Sequence, residues 1–524
     1  MKYLRSFLLI TALAGTARPQ NGSQFHDWRV NHWNASGDPG SVTNPKLACG
    51  DLRALTDGEL TIASAVAIPA AGRSPEFCQV NGQILPAVEF EVSLPTAWNR
   101  RLYMFGNGGY AGEALDLPGR VNTRSLALQH GFAVAQTNTG HSAVKEPLGT
   151  FAVDRQKLLD YAFRSPHVTA KAAKHLAAAY YGTAPAKSYF DGCSTGGRQG
   201  LILAQRFPSD FDGIAVGAPV LNFTGTMEFD ARISQALAAN PLPASKLKLL
   251  SDTIYAQCDS KDGLKDGLIS DPRDCHFEPV RDLPKCDASG DRADCFTSGQ
   301  IETLNTIYTD LTSGGKRIFP GWPVGAEAAG ANGKSGWDGW IVREGGPSTG
   351  TTFAETFFRY LAFAKPDASF SLSSFDPGRD HPRLEPIHEL LDATDTDLSA
   401  FQRRGGKILM YFGWADPALN PLMGIDYYER VSKQMGPSTT DFFRLFMVPG
   451  MFHCGGGIGT SAFDAVTPLI SWEEKSEAPD SILASRLTDG KVARTRPLCA
   501  YPEIAKYKGS GSIDEAASFT CSHP

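Results

Sequence analysis

The chain has 524 residues, 42% of them hydrophobic, enough for a large buried core spread over about two to four domains. Its formal net charge is −6 and no basic block stands out, which excludes nucleic acid as a natural partner. No apolar run reaches the length of a bilayer span, so no membrane-embedded role is expected.

The first residues, Met1-Lys-Tyr-Leu-Arg5, carry charge, and the run Phe7–Ala17 is short, apolar and rich in small residues. That order makes residues 1–17 a secretory signal expected to be cut near Ala17, and the mature chain an extracellular one. Ten cysteines, an even count, suit disulfides in an oxidising compartment. Three sequons, at Asn21, Asn34 and Asn222, permit N-glycosylation where the host performs it.

Residues 18–60 read as irregular, with Cys49 expected to pair with Cys78. Strands are predicted over Leu60–Ala67, Val88–Leu94 and Arg101–Phe105, the last breaking into Gly106-Asn-Gly-Gly-Tyr-Ala-Gly112. Phe132–Thr137 is another buried strand, and Asp154–Tyr161 and Thr169–Tyr180 are helices. The run Tyr189-Phe190 then ends in Asp191-Gly192-Cys193-Ser194-Thr195-Gly196-Gly197, followed by helical spacing through Leu201, Leu203 and Ala204 to Pro208. A serine between two glycines at a strand-to-helix junction is a nucleophile elbow, whose sharp turn exposes the hydroxyl. Gly213–Gly217 is the next strand. Strands alternating with helices indicate an α/β fold with a mostly parallel sheet.

From 220 to 396 the rhythm is lost. This stretch is rich in Gly, Pro and Asp, with helices predicted at Ser245–Ala256, Ser298–Asp310 and Phe353–Phe363, and it reads as an inserted lid between core segments 18–219 and 397–524. The alternation returns with a short helix over Asp397–Gly405, with Asp397 as candidate N-cap, and the strand Lys407–Phe412, broken by Gly413-Trp-Ala-Asp416-Pro417. A helix is predicted over Gly424–Gln434, then the strand Phe442–Val448, ending at Pro449-Gly450-Met-Phe-His453-Cys454.

A serine nucleophile needs a base and a carboxylate that orients it, and on this architecture they follow later strands in the order Ser, Asp, His. Ser194, Asp416 and His453 each lie in a Gly- or Pro-rich loop directly beyond an apolar run, so they are the candidate catalytic set for attack on an ester carbonyl. Cys193 precedes the serine and Cys454 follows the histidine; a disulfide between them would make Ser194 and His453 neighbours. A second Gly-x-Ser-x-Gly, around Ser348, lies in the irregular insertion behind a proline and has no such tie. The oxyanion donors are expected to be the amides of Thr195 and of Gly108, with Gly109 a close alternative.

The insertion holds a further candidate site, Cys258–Cys275. Asp259, Asp262 and Asp266 alternate with glycines there, and Leu264 and Leu268 offer carbonyls, a donor set suited to Ca²⁺; the alternative is a solvated acidic turn. A Cys258–Cys275 bridge would close the loop. It is not an EF-hand, since Ser270 stands where that loop needs Glu. Such an ion would be structural.

Cys193-Ser194, Asp416 and His453-Cys454 resemble the paired-cysteine triad of the tannase and feruloyl esterase family. The 259–271 loop is similar to that family's lid calcium loop, and the contexts Gly413-Trp-Ala-Asp-Pro and Gly192-Cys-Ser-x-Gly-Gly-Arg198 also match. The resemblance spans nearly the whole mature chain. It implies an α/β-hydrolase core with a large lid and a secreted serine esterase acting on esters of phenolic acids, feruloyl or galloyl, of plant cell-wall or tannin origin. It also implies five disulfides: Cys49–Cys78, Cys193–Cys454, Cys258–Cys275, Cys286–Cys295 and Cys499–Cys521. The lid aromatics Trp337, Trp340, Phe357, Phe358 and Tyr360 are candidates for stacking on a phenolic ring. A serine peptidase of the same fold and a non-catalytic secreted binding protein are the rivals, the latter requiring a missing triad member. A homodimer is left open.

Overall fold

A computed structural model describes residues 42–328 and 336–523; the expected signal segment and the sequons at Asn21 and Asn34 lie outside them. Strands β1 (Leu60–Ile68), β2 (Phe77–Ile84), β3 (Val88–Pro95), β4 (Arg101–Phe105), β5 (Ala133–Thr137), β6 (Lys187–Cys193) and β7 (Gly213–Gly217) precede the insertion. Within it β8 (Leu311–Ser313) and β9 (Lys316–Phe319) form a hairpin, and β10 (Lys407–Gly413) and β11 (Phe443–Val448) follow. One sheet of nine strands runs in the order β1-β2-β3-β5-β4-β6-β7-β10-β11. Antiparallel pairing joins β1, β2, β3 and β5, and every pairing from β5 to β11 is parallel.

The parallel strands are apolar on both sides because helices cover both. β5 and β7 are buried at every residue. In β4, Leu102 and Met104 join one apolar layer with residues of the helices Ser165–Tyr181 and Thr195–Arg206. Tyr103 and Phe105 join the other, with residues of Pro118–Gln129 and Val466–Lys475. Sequential parallel strands therefore deliver their carboxyl ends, and the loops beyond them, to one edge of the sheet.

The expected strands are present to within a residue or two, but several elements differ. The helix expected over 154–161 is helical over Arg155–Leu159 and then widens into a π-turn, Asp160–Arg164. The wider turn leaves the carbonyls of Tyr161 and Ala162 accepting from the buried Arg198 guanidinium. Asp397 does not cap its helix; the cap position is Leu398, though Asp397 accepts from the Ser399 amide at 2.9 Å. Strand β2 and the long helix Phe223–Ala239 form where none was expected. So do the two hairpins of the tail, β12 (Ser481–Thr488) with β13 (Lys491–Cys499) and β14 (Ile504–Tyr507) with β15 (Phe519–Ser522). Five disulfides join Cys49–Cys78, Cys193–Cys454, Cys258–Cys275, Cys286–Cys295 and Cys499–Cys521.

Candidate active site

Ser194 sits between β6 and the helix Thr195–Arg206 with φ 63° and ψ −123°, a conformation that costs a side-chain-bearing residue energy and that the surroundings must enforce. They do so by contact too close for side chains. A Cβ on Gly192 would lie 2.5 Å from the Gly196 backbone, and one on Gly106 also 2.5 Å from it. The Ser194 amide donates to the Gly217 carbonyl at 2.9 Å and its carbonyl accepts from Val220 at 3.3 Å, fixing the turn against the end of β7. Arg198, fully buried, donates to the carbonyls of Tyr161, Ala162 and Leu391, tying the elbow helix to the end of the insertion.

Asp416 is fully buried in the loop after β10. One carboxylate oxygen accepts from the amides of Ala418 and Leu419 at 2.8 and 2.9 Å, and the other bonds His453 Nδ1 at 2.8 Å. With Nδ1 so engaged, Nε2 is left for the substrate side, where Cys454 Sγ lies 3.7 Å away. Cys454 has φ 55° and is bonded to Cys193, with their Cα atoms 6.0 Å apart. Ser194 and His453 line one cavity of about 730 Å³. The insertion closes over it: Trp322 Nε1 donates to the Asp416 carbonyl at 3.0 Å, and the half-buried Trp340 ring meets His453 edge-on at 5.5 Å.

Thr195 and Gly108 both line the same cavity. Thr195 is the first residue of its helix, where the amide has no intrahelical acceptor. The Gly108 amide points to Glu113 at 3.4 Å, and the Gly109 carbonyl accepts from the Thr195 hydroxyl. A polar network absent from the sequence-based expectations holds this glycine loop. Glu113 accepts from Arg120 at 2.8 Å and from Asn107 at 3.0 Å, and Arg120 also donates to Gln136 at 2.8 Å.

The second Gly-x-Ser-x-Gly is a helix cap: Ser348 Oγ accepts from the Thr351 amide at 3.2 Å. Of the five aromatics expected in a lid, Trp340 lines the cavity; Trp337, Phe357 and Phe358 are fully buried, and Tyr360 does not line it. Its apolar walls include Tyr110, Phe223, Met227 and Phe353. It also holds Asp230, a buried carboxyl that sequence reasoning missed. The one available signal was its helical spacing: Phe223, Met227 and Asp230 lie at i, i+4 and i+7, an acid within an apolar stripe. Asn222, the sequon within the described residues, accepts the Gly225 amide at 2.9 Å as a helix cap.

In the acidic loop, Asp262, Leu264, Asp266 and Leu268 line one small cavity. Asp259 accepts from the amides of Asp266 and Gly267 at 3.2 and 2.9 Å. Burial, and then the neighbouring Asp266 and Asp259, push the Asp262 carboxyl up. Asp266 also pairs with Arg496 at 2.5 Å. Among the described residues no three His, Cys, Asp or Glu side chains gather closely enough to hold a metal, so an ion here would need the carbonyls of Leu264 and Leu268 as well.

A family model described as tannase and feruloyl esterase matches residues 72–522. The chain is 35% identical to mono(2-hydroxyethyl) terephthalate hydrolase of Piscinibacter sakaiensis, covering 88% of this chain and 87% of that protein. The crystal structure of feruloyl esterase B from Aspergillus oryzae superposes with a TM-score of 0.79 at 26% identity, covering 91% of this chain and 100% of the other. Tannin acyl hydrolase from Aspergillus niger, at 22% identity and a TM-score of 0.68 over 92% of this chain and 97% of its own, shares the fold.

Proposed function

The chain belongs to the tannase and feruloyl esterase family and is a carboxylic ester hydrolase, and from that premise we propose that it cleaves esters of phenolic acids through an acyl-enzyme on Ser194. The observation that carries the mechanism is the Asp416–His453 hydrogen bond at 2.8 Å beside a disulfide joining the neighbours of His453 and Ser194. His453 Nε2 takes the hydroxyl proton as Ser194 Oγ attacks the ester carbonyl. The oxygen that becomes negative is received by the amide of Thr195 and by that of Gly108, once the latter turns from its long 3.4 Å contact with Glu113. His453 then gives its proton to the departing alcohol. Water, deprotonated by His453, attacks the acyl carbonyl, and His453 passes that proton to the departing Ser194 oxygen, releasing the acid and restoring the serine. Asp416 keeps Nδ1 protonated and stabilises the imidazolium.

The cavity's apolar walls suit a flat aromatic acyl group. A half-ester of an aromatic diacid, the kind named for the Piscinibacter relative, would bring a second carboxylate. Among the described residues, the Lys or Arg side chain lining the cavity is Arg120, and it is already committed to Glu113 and Gln136 rather than free to meet that carboxylate. That charge pattern favours a neutral phenolic ring. Methyl ferulate, caffeate, p-coumarate and gallate, assayed beside peptides and a terephthalate half-ester, test this; turnover of none of the four would overturn it.

We also propose that a structural Ca²⁺ is held by Asp259, Asp262 and Asp266 with the carbonyls of Leu264 and Leu268. Bound there, it would balance the half-buried Asp262 carboxyl, which sits beside Asp266 and Asp259 in the disulfide-closed loop. The full pairing of the ten cysteines supports secretion, with Met1–Ala17 as the signal and plant cell-wall or tannin esters as the outside substrate.

A further inference from the structure

One carboxyl in the cavity has no part in the acyl transfer. Asp230 lines it, is 8% exposed, and lies on the helix Phe223–Ala239. Among the described residues nothing hydrogen-bonds or ion-pairs with its carboxyl, and burial alone pushes it up to about 8. An unpartnered buried acid costs stability unless a ligand or proton satisfies it. Its neighbours leave it open toward the cavity. Tyr110 spends its hydroxyl on the Phe353 carbonyl at 2.9 Å, and Gly350 has no side chain where a Cβ would meet Asp230 Oδ1 at 3.1 Å.

The position also fits the far end of an acyl group. Val220, three residues before the helix, donates to the Ser194 carbonyl, so this end of the segment is docked on the nucleophile. Phe223, Thr226, Met227 and Asp230 all line the cavity. Asp230 is seven residues beyond Phe223, about 10 Å along the helix axis, with Thr226 and Met227 on the cavity wall between them.

We propose that Asp230 is the specificity residue of the acyl slot, its carboxyl hydrogen-bonding the phenolic hydroxyl of the bound acyl group. A protonated carboxyl offers one O–H donor and a carbonyl acceptor, and a phenol offers the complement of both. The ionised form is disfavoured here by burial, so neither partner brings a net charge into the slot. The inference rests on the phenolic-ester reading.

The test compares methyl p-coumarate with methyl cinnamate, which differ by one hydroxyl, in the wild-type enzyme, Asp230→Asn and Asp230→Leu. The wild type is expected to prefer p-coumarate by about tenfold in kcat/KM, the worth of one or two net hydrogen bonds. Asp230→Leu should abolish that preference by slowing p-coumarate while sparing or improving cinnamate. Asp230→Asn, which still donates and accepts, should keep part of it, and it serves alone if the leucine variant fails to fold. An equal loss on both esters, or an unchanged preference, overturns the inference and leaves the phenolic-ester reading standing. Turnover of neither ester by the wild type, together with failure on ferulate, caffeate and gallate, sinks that reading and the inference with it.

Discussion

Removing the bridge beside the proposed nucleophile separates two roles that one bond combines. The variant is Cys193→Ser with Cys454→Ser. The bridge closes a loop of sequence separation 261, and the bridges Cys258–Cys275 and Cys286–Cys295 inside it span 17 and 9 residues. Those shorten the covalent path by about a tenth, which hardly changes a logarithmic dependence on length. The chain-entropy cost lifted from the unfolded state is therefore on the order of 5 kcal/mol, read by equilibrium urea denaturation of the oxidised enzyme against the variant. The second role is positional. His453 keeps its bond to Asp416, so the imidazole stays oriented, but its covalent tether to the Ser194 turn is gone. A displacement near 1 Å costs about 10²-fold in rate, so kcat on methyl p-coumarate should fall between about tenfold and 10²-fold with KM little changed, at a temperature where the variant is folded. A kcat within about twofold of wild type would refute the positional role. A stability loss below about 1 kcal/mol would refute the entropic one.

Ser194→Ala should lower turnover by on the order of 10⁵-fold while leaving the melting temperature close to wild type; retained activity would sink the mechanism. EGTA should lower the melting temperature by about 1–2 °C, restored by Ca²⁺ but not by Mg²⁺, as about 1–2 kcal/mol of linkage requires in a chain of this size; no shift would favour a solvated acidic turn. The Asp464 carboxyl is pushed up to about 6 by burial while it caps Val466 and Thr467. Its folded state binds the proton more tightly than the unfolded one, so this contribution is fully present below about pH 4, is lost as pH rises to about 6, and is flat beyond. About two pH units correspond to about 3 kcal/mol. Asp464→Asn should flatten that part of the stability profile, and a wild-type-minus-variant difference independent of pH would contradict the account.

The candidate site was more legible in sequence than the cavity that serves it. A run of buried strand residues ending in glycine, as at Phe190–Gly192 and Phe412–Gly413, marks both the strand and the loop that carries the side chain. The adjacency of Cys193 to Ser194 and of Cys454 to His453 adds a distance that sequence rarely supplies. The long helix Phe223–Ala239 stayed hidden because it opens on Phe-Thr-Gly-Thr, residues of weak helix propensity. Apart from the local Asn222 cap, what holds it is distant in sequence: the bond from Thr224 to Asp392 and burial of most of its first half. Asp230 was lost with it. Arg120, Glu113 and Gln136 were equally silent, since a buried polar network is a property of three elements meeting and none of their sequences names the others.

Two side-chain-bearing residues in the left-handed region, Ser194 and Cys454, belong to the two turns that the Cys193–Cys454 bridge joins. Such conformations persist only where the surroundings over-determine them. On the serine side those surroundings include Arg198, whose guanidinium reaches the Leu391 carbonyl at the end of the insertion. On the histidine side they include Trp322, bonded to the Asp416 carbonyl, and Trp340 against the imidazole. The insertion therefore does more than wall a pocket. It helps hold the turns that present nucleophile and base, so substitutions at Trp322 or Arg198, neither of which faces the acyl slot, should lower kcat rather than raise KM.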